Sequence, residues 1–184
     1  MAIVGNVGSA VWPHYREARR DHPALSLDHW TRDVVGRIAE EFGLDAVYPF
    51  EGPPYHPFIQ WAKRTGTLFP SPLGLTIHPT FGLWHAFRAA LLFDHAFDRP
   101  NETAEHPCDS CEDRPCLSAC PVDAFTGDGY DFNACLDHLS TPVNACRDGG
   151  CLARIACPVG KTYRYRLDHA AFHMQQLLKA RGRS

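Results

Sequence analysis

All eight cysteines of this 184-residue chain lie between Cys108 and Cys157, in two blocks of four. The first reads Cys108-x2-Cys111-x4-Cys116-x3-Cys120, and the second Cys135-x10-Cys146-x4-Cys151-x5-Cys157. Each closes on the same tripeptide, Cys120-Pro121-Val122 and Cys157-Pro158-Val159. Four thiolates are a full set of soft ligands, enough for a four-iron cluster or for one tetrahedral zinc ion. Zinc motifs usually pair two C-x2-C knuckles, and only Cys108 and Cys111 have that spacing here. The repeated Cys-Pro is instead a mark of iron-sulfur motifs. Two [4Fe-4S] clusters are therefore expected, with two structural zinc sites as the alternative. Structural disulfides are disfavoured, because the chain opens without the charged region, apolar run and small-residue cleavage site of a secretory leader.

The first block resembles the two-cluster run of bacterial ferredoxins, C-x2-C-x2-C-x3-C-P, and departs from it by two residues between Cys111 and Cys116. In those proteins the cysteine before the proline ligates the other cluster, because the chain swings away where proline cannot continue the local turn. The resemblance thus implies one cluster on Cys108, Cys111, Cys116 and Cys157, and another on Cys120, Cys135, Cys146 and Cys151. Each [4Fe-4S]2+ core with four thiolates carries about two negative charges. Arg147, Arg154, Lys161, Arg164 and Arg166 lie near the second block. They could offset that charge, dock an acidic redox protein partner, or form a solvated helix face.

The positioning elements must fit a chain long enough for one domain with a real core or for two small ones. The 107 residues before Cys108 hold no cysteine, which favours two. With 45% hydrophobic and 21% charged residues and a net charge of −3, the composition is that of an ordinary globular protein and carries no nucleic-acid footprint. No apolar run is long enough for a membrane span, and a cytoplasmic location is the simplest expectation.

Leu27, Trp30, Val34, Ile38 and Phe42 recur at three and four, predicting a helix over 26–42, capped by Ser26 or Asp28 and ended by Gly43. A strand is expected over 44–50, a short helix around 58–64, and a loop into a short strand at 73–79. Trp84 to Phe93 suits either a strand or a buried helix. Met1 to Ser9 reads as an apolar run followed by glycines that allow a turn, without the ending of a nucleotide loop. A polar, proline-bounded boundary is expected over 98–107. Beyond it, a helical turn at 121–125, a turn at 127–130, a helix carrying Cys135 and a final helix over 162–181 are expected. The apolar stripe of that helix is Leu167, Ala170, Ala171, Met174, Leu177 and Leu178, expected to pack on the N-terminal domain. The fold class is α+β: a small α/β domain over 1–100, then a bacterial-ferredoxin-like two-cluster module with a C-terminal helix over 101–184.

The run Gly74-Leu75-Thr76-Ile77-His78-Pro79-Thr80-Phe81-Gly82-Leu83-Trp84, followed by Leu91-Leu92-Phe93 and the cysteine blocks, is similar to epoxyqueuosine reductase and related corrinoid-dependent reductases. The likeness spans roughly 73–160, where the cobalamin-binding domain of that family runs into its two-cluster module. It implies that clusters pass single electrons to a cobalamin held by the N-terminal domain. His78, Trp84 and His85 are the candidate cofactor-binding residues. An electron carrier that does no bond chemistry is the leading reading, a corrinoid-dependent reductase the alternative, and a structural zinc-binding interaction protein the third.

Of the eleven histidines, His169 and His173 stand at i, i+4 on the last helix, where a solvated or capping role is expected. His106, just before the first block, is placed to donate to a cluster sulfur or to sit exposed in a loop. Trp12, Tyr15, Tyr48, Tyr55, Phe58, Trp61 and Trp84 would line a planar pocket or, more commonly, build a core.

Overall fold

The computed structural model describes residues 1–97, 104–126 and 129–182. The chain begins with β1 (Ala2–Val7), α1 (Trp12–Asp21), α2 (Leu27–Phe42), β2 (Asp45–Val47) and α3 (Phe58–Lys63). Three strands follow: β3 (Phe69–Pro70), β4 (Thr76–Ile77) and β5 (His85–Leu92). Then come α4 (Pro115–Ser118), β6 (Phe125–Thr126), β7 (Gly129–Tyr130), α5 (Phe132–Leu139), α6 (Ala145–Gly149), α7 (Leu152–Ala156) and α8 (Leu167–Lys179). The mixture of helices with small antiparallel sheets is α+β. The chain forms two compact units, Met1–Thr67 with His85–Thr103, and Leu68–Trp84 with Ala104–Ser184. The segment Leu68–Trp84, read from sequence as part of the first domain, thus groups with the cysteine-bearing residues.

The first unit is built on an antiparallel sheet ordered β1-β5-β2. The run left open between strand and buried helix is its central strand, pairing Ala2 with Leu91 on one side and Asp45 with Leu92 on the other. Ala89 and Ala90 on it are fully buried, which is why an apolar run of helix-like composition suits a strand flanked on both edges. The glycine-bearing opening segment is itself the strand β1, with a register shift between Val4 and Gly5.

Helix α2 matches its expected limits: the Ser26 hydroxyl accepts from the His29 amide at 3.1 Å, and Gly43 ends the helix. Arg88 of β5 ties the start of this helix to the sheet, donating to Asp28 Oδ1 at 2.9 Å, to Thr31 Oγ1 at 2.8 Å and to the Leu27 carbonyl. Val35, Tyr48 and Ala89 form the core there. Trp12, Tyr15, Tyr48 and Phe58 are buried, so these aromatics are core rather than pocket, while Tyr55 is exposed.

The second unit has little sheet. β3 pairs with β4 and β6 with β7, each over two residues. Its short helices enclose two apolar clusters. One contains Leu73, Ile77, Leu83, Ala153, Cys116 and Cys157, the other Leu136, Leu139, Leu178 and Cys146. The helical turn expected at 121–125 is absent: the chain turns at Pro121 and Val122 and enters β6 at Phe125. Of the turn expected at 127–130, Gly127 and Asp128 lie outside the described residues, as does most of the boundary expected over 98–107.

Helix α8 starts at Leu167, five residues later than expected, after a 3-10 turn at Lys161–Tyr163. It packs on α5 and α6 of its own unit. Leu167, counted in that stripe, is 73% exposed, because it sits in the first turn ahead of the buried face. No helix among the described residues is long and apolar enough to cross a membrane.

Candidate metal centre

The eight cysteines are all free thiols in the second unit; Cys116, Cys146 and Cys157 are buried and the other five half-buried. Cys108 and Cys111 lie on the turn after His106, and Cys116 on α4. Cys120 lies just beyond α4, Cys135 on α5, and Cys146 on α6. Cys151 and Cys157 flank α7 at its two ends.

Their mutual electrostatics sort them into two sets. Burial pushes the Cys108 thiol up, and negative charge on Cys157, Cys116 and Cys111 pushes it further. Cys116 is raised by burial and then by Cys157 and Cys111, and Cys157 by burial and by Cys111. Burial also raises Cys135, which then responds to Cys120. Cys146 is raised by burial, Cys120 and Cys135, and Cys151 by burial, Cys146 and Cys135. Cys108, Cys116 and Cys157 thus respond to cysteines of the set {Cys108, Cys111, Cys116, Cys157}, and Cys135, Cys146 and Cys151 to cysteines of the set {Cys120, Cys135, Cys146, Cys151}. As the thiols stand, no three His, Cys, Asp or Glu side chains among the described residues are gathered to hold a metal ion.

The donor set nonetheless suits a thiolate-bound cluster, because hydrogen-bond donors are aimed at the sulfurs. The Ala124 amide donates to Cys120 Sγ at 3.3 Å. Backbone amides also lower the thiol of Cys116 (its own amide and Leu117), Cys146 (Leu152), Cys151 (Arg154 and Ala153) and Cys157 (Val159). Such donors favour the anionic sulfur that a metal needs. The Tyr130 hydroxyl donates to Cys135 and lowers that thiol, while burial first, and then this hydrogen bond, hold the tyrosine's own pKa well above the phenolic range. Register places it: Tyr130 pairs with Phe125 across the β6-β7 hairpin, and the two rings stack at 4.9 Å. Spacing alone could not have singled out Tyr130, since its role depends on that hairpin.

The glycine-aromatic run before Trp84 is pressed against the second Cys-Pro motif. A Cβ on Gly82 would stand 2.2 Å from the Val159 carbonyl oxygen, and one on Gly160 would stand 2.5 Å from the Phe81 carbonyl. Both glycines have positive φ, +58° and +69°, so each position excludes a side chain by space and by backbone. This contact sits directly after Cys157-Pro158 and holds the chain where it leaves α7.

Of the residues proposed for an organic cofactor, His78 and Trp84 belong to the second unit and His85 to the first. His78 Nδ1 accepts from the Thr80 and Phe81 amides at 3.0 and 3.3 Å, and its ring stacks on Phe81 at 4.4 Å, so it shapes the loop. His85 opens β5, its ring 5.5 Å from that of Phe87. Trp84 is 2% exposed, and its indole Nε1 has no hydrogen-bond partner. The Arg154 guanidinium lies against both Trp84 and Tyr165, 4.6 and 4.5 Å from ring centres that are themselves 5.4 Å apart, and donates to the Leu83 carbonyl.

His106 does not aim at a sulfur through Nδ1, which accepts the Cys108 amide at 3.1 Å. His169, expected to be solvated or to cap, is 1% exposed: its Nε2 is 3.0 Å from His173 Nε2, and Tyr165 stacks on it at 4.2 Å. Burial first, then His173, lowers its pKa to about 3. Comparison with protein-family models, with curated proteins and with solved structures returned no match.

Proposed function

We propose that this chain is an electron-transfer protein holding two [4Fe-4S] clusters. One would be held by Cys108, Cys111, Cys116 and Cys157, the other by Cys120, Cys135, Cys146 and Cys151. The observation that carries the reading is the sorting of the thiols into two electrostatically coupled sets in which Cys120 and Cys157 change places. An exchange of the cysteine before each proline is the ligand logic of two-cluster ferredoxins. Amide and hydroxyl donors at the sulfurs support it further, because hydrogen bonds to cluster sulfurs stabilise the reduced, more negative state. When bound, such clusters supply single-electron storage. The chain's own part is to bury the ligands, aim N–H and O–H groups at sulfur, and keep water away.

The test is iron, sulfide and zinc per chain on anaerobically purified protein, with EPR of the reduced sample. About eight iron and eight sulfide with a spin-coupled signal support the reading. About two zinc without sulfide would replace it with the structural zinc protein. Cys157→Ser then tests the division: about four iron should remain, with the signal of an isolated cluster. Retention of added cobalamin through gel filtration would move the reading to the corrinoid-dependent reductases.

A further inference from the structure

A groove of about 740 Å³ opens in the first unit, between the C-terminal end of α2 and the segment that leaves β5. Ile38 and Phe42 form one wall, Leu92 and Phe93 the other. Helix α2 packs inward through Thr31, Val35 and Ala39, so the second stripe of its apolar period is left facing out. Ile38 is 40% exposed, Phe42 68% and Leu92 37%. Single apolar side chains are ordinary on a protein surface, but several lining one groove mark an interaction site.

The charges at this groove have one dominant sign. Asp45 and Asp94 line it, whereas no lysine or arginine does. Asp94 is taken up by His95, 2.7 Å away, while Asp45 has no ion pair among the described residues. The last turn of α2 adds Glu40 and Glu41 and holds no basic residue, although the C-terminal end of a helix favours cations. Arg37, about one turn earlier, donates to the Asp33 carbonyl at 3.1 Å and does not line the groove.

We propose that this groove docks an amphipathic helix of a partner protein, its apolar face on Ile38, Phe42, Leu92 and Phe93 and its lysines or arginines toward Asp45, Glu40 and Glu41. Apolar side chains four apart on α2 form a ridge that a second helix packs against, and opposite charge at the rim sets its orientation and rejects acidic competitors. The same rim argues against a second copy of this chain, since two such grooves face to face would oppose like carboxylates. The groove lies in the unit that holds no cysteine, so it does not depend on which metal the cysteines bind.

Fluorescence anisotropy of a labelled leucine-lysine peptide of helical period, about 15 residues long, titrated with the full-length protein, tests the proposal. A leucine-glutamate peptide with the same apolar face is the control. The basic peptide is expected to bind with a Kd on the order of 10 μM, and the acidic one at least about tenfold more weakly. Phe42→Asn should weaken the basic peptide about tenfold, and Asp45→Asn about threefold with a shallower salt dependence. Both side chains are exposed, so the circular dichroism of the two variants should match wild type. Val143→Asn alters an apolar side chain that is 92% exposed in the second unit, and should bind as wild type. Absence of binding, equal affinity for the two peptides, wild-type affinity in both Phe42→Asn and Asp45→Asn, or equal weakening by Val143→Asn would overturn the assignment. Dimerisation of the chain alone that Phe42→Asn abolishes would overturn it in favour of a second copy. Metal content is measured separately, so failure here is distinct from failure of the cluster reading.

Discussion

The two units of this chain solve the problem of a stable interior differently. In the first, β5 is bonded on both edges, α2 lies on the sheet, and Arg88 ties the first turn of that helix to β5 while Val35, Tyr48 and Ala89 fill the core. That core holds no cysteine. In the second, strands are two residues long, most helices are a single turn or little more, and both clusters contain cysteines. Burial raises those thiols, so the interior becomes favourable for thiolates only when a cation compensates them. One unit is held by its side chains; on the proposed reading the other would be organised around its ligands.

The sharpest way to break that contrast is to strip the metal. Loss of the clusters should unfold the second unit while β5 of the first stays protected, read by hydrogen exchange on the full chain. Simultaneous loss of protection in both units would show that the first depends on the ligands too. Next in size is Gly82→Val, which forces a side chain into the Val159 carbonyl from a left-handed backbone. It should destabilise the second unit by about 4 kcal/mol and release iron preferentially from the set containing Cys157. An equivalent lesion in the first unit, Arg88→Met, should lower thermal stability by about 1–3 kcal/mol without changing iron content.

A pH titration separates the units more gently. His169 has its folded-state pKa pulled from 6.5 to about 3, so between those values the unfolded chain binds a proton that the native state does not. Stability from this residue is full above about pH 6.5 and is lost as pH falls through the window toward 3. His169→Gln should flatten that slope for the second unit in thermal scans, while the first unit's slope stays the same. The smallest expected effect is that of Tyr130→Phe. Removing one O–H donor from Cys135 should lower the reduction potential of one cluster by a few tens of millivolts, about 1 kcal/mol, with iron content and the other potential unchanged. Two shifted potentials in protein-film voltammetry would contradict the assignment of Tyr130 to a single set.

Much of the local structure was readable residue by residue. Helix α2 could be drawn from its apolar period, Ser26 and Gly43, because capping and amphipathicity act within a few residues. α5, capped by Asp131, follows the same logic. The identity of β5 could not be read, since an apolar run looks alike in a buried helix and in a strand with two neighbours. Nor could β1, whose partner lies some eighty residues away in the sequence, about the farthest pairing this sheet makes. For the proposed cluster site, the sequence alone determined the inventory, eight soft ligands in two blocks with a proline after each fourth, because thiol chemistry and spacing are properties of the chain. Only the tertiary structure decided that Gly82 would lock against Val159, that Tyr130 would reach Cys135, that His169 would be buried rather than solvated, and that Trp84 and His85 would fall in different units. Those outcomes depend on which distant segments share one volume, and close packing, not local preference, settles that.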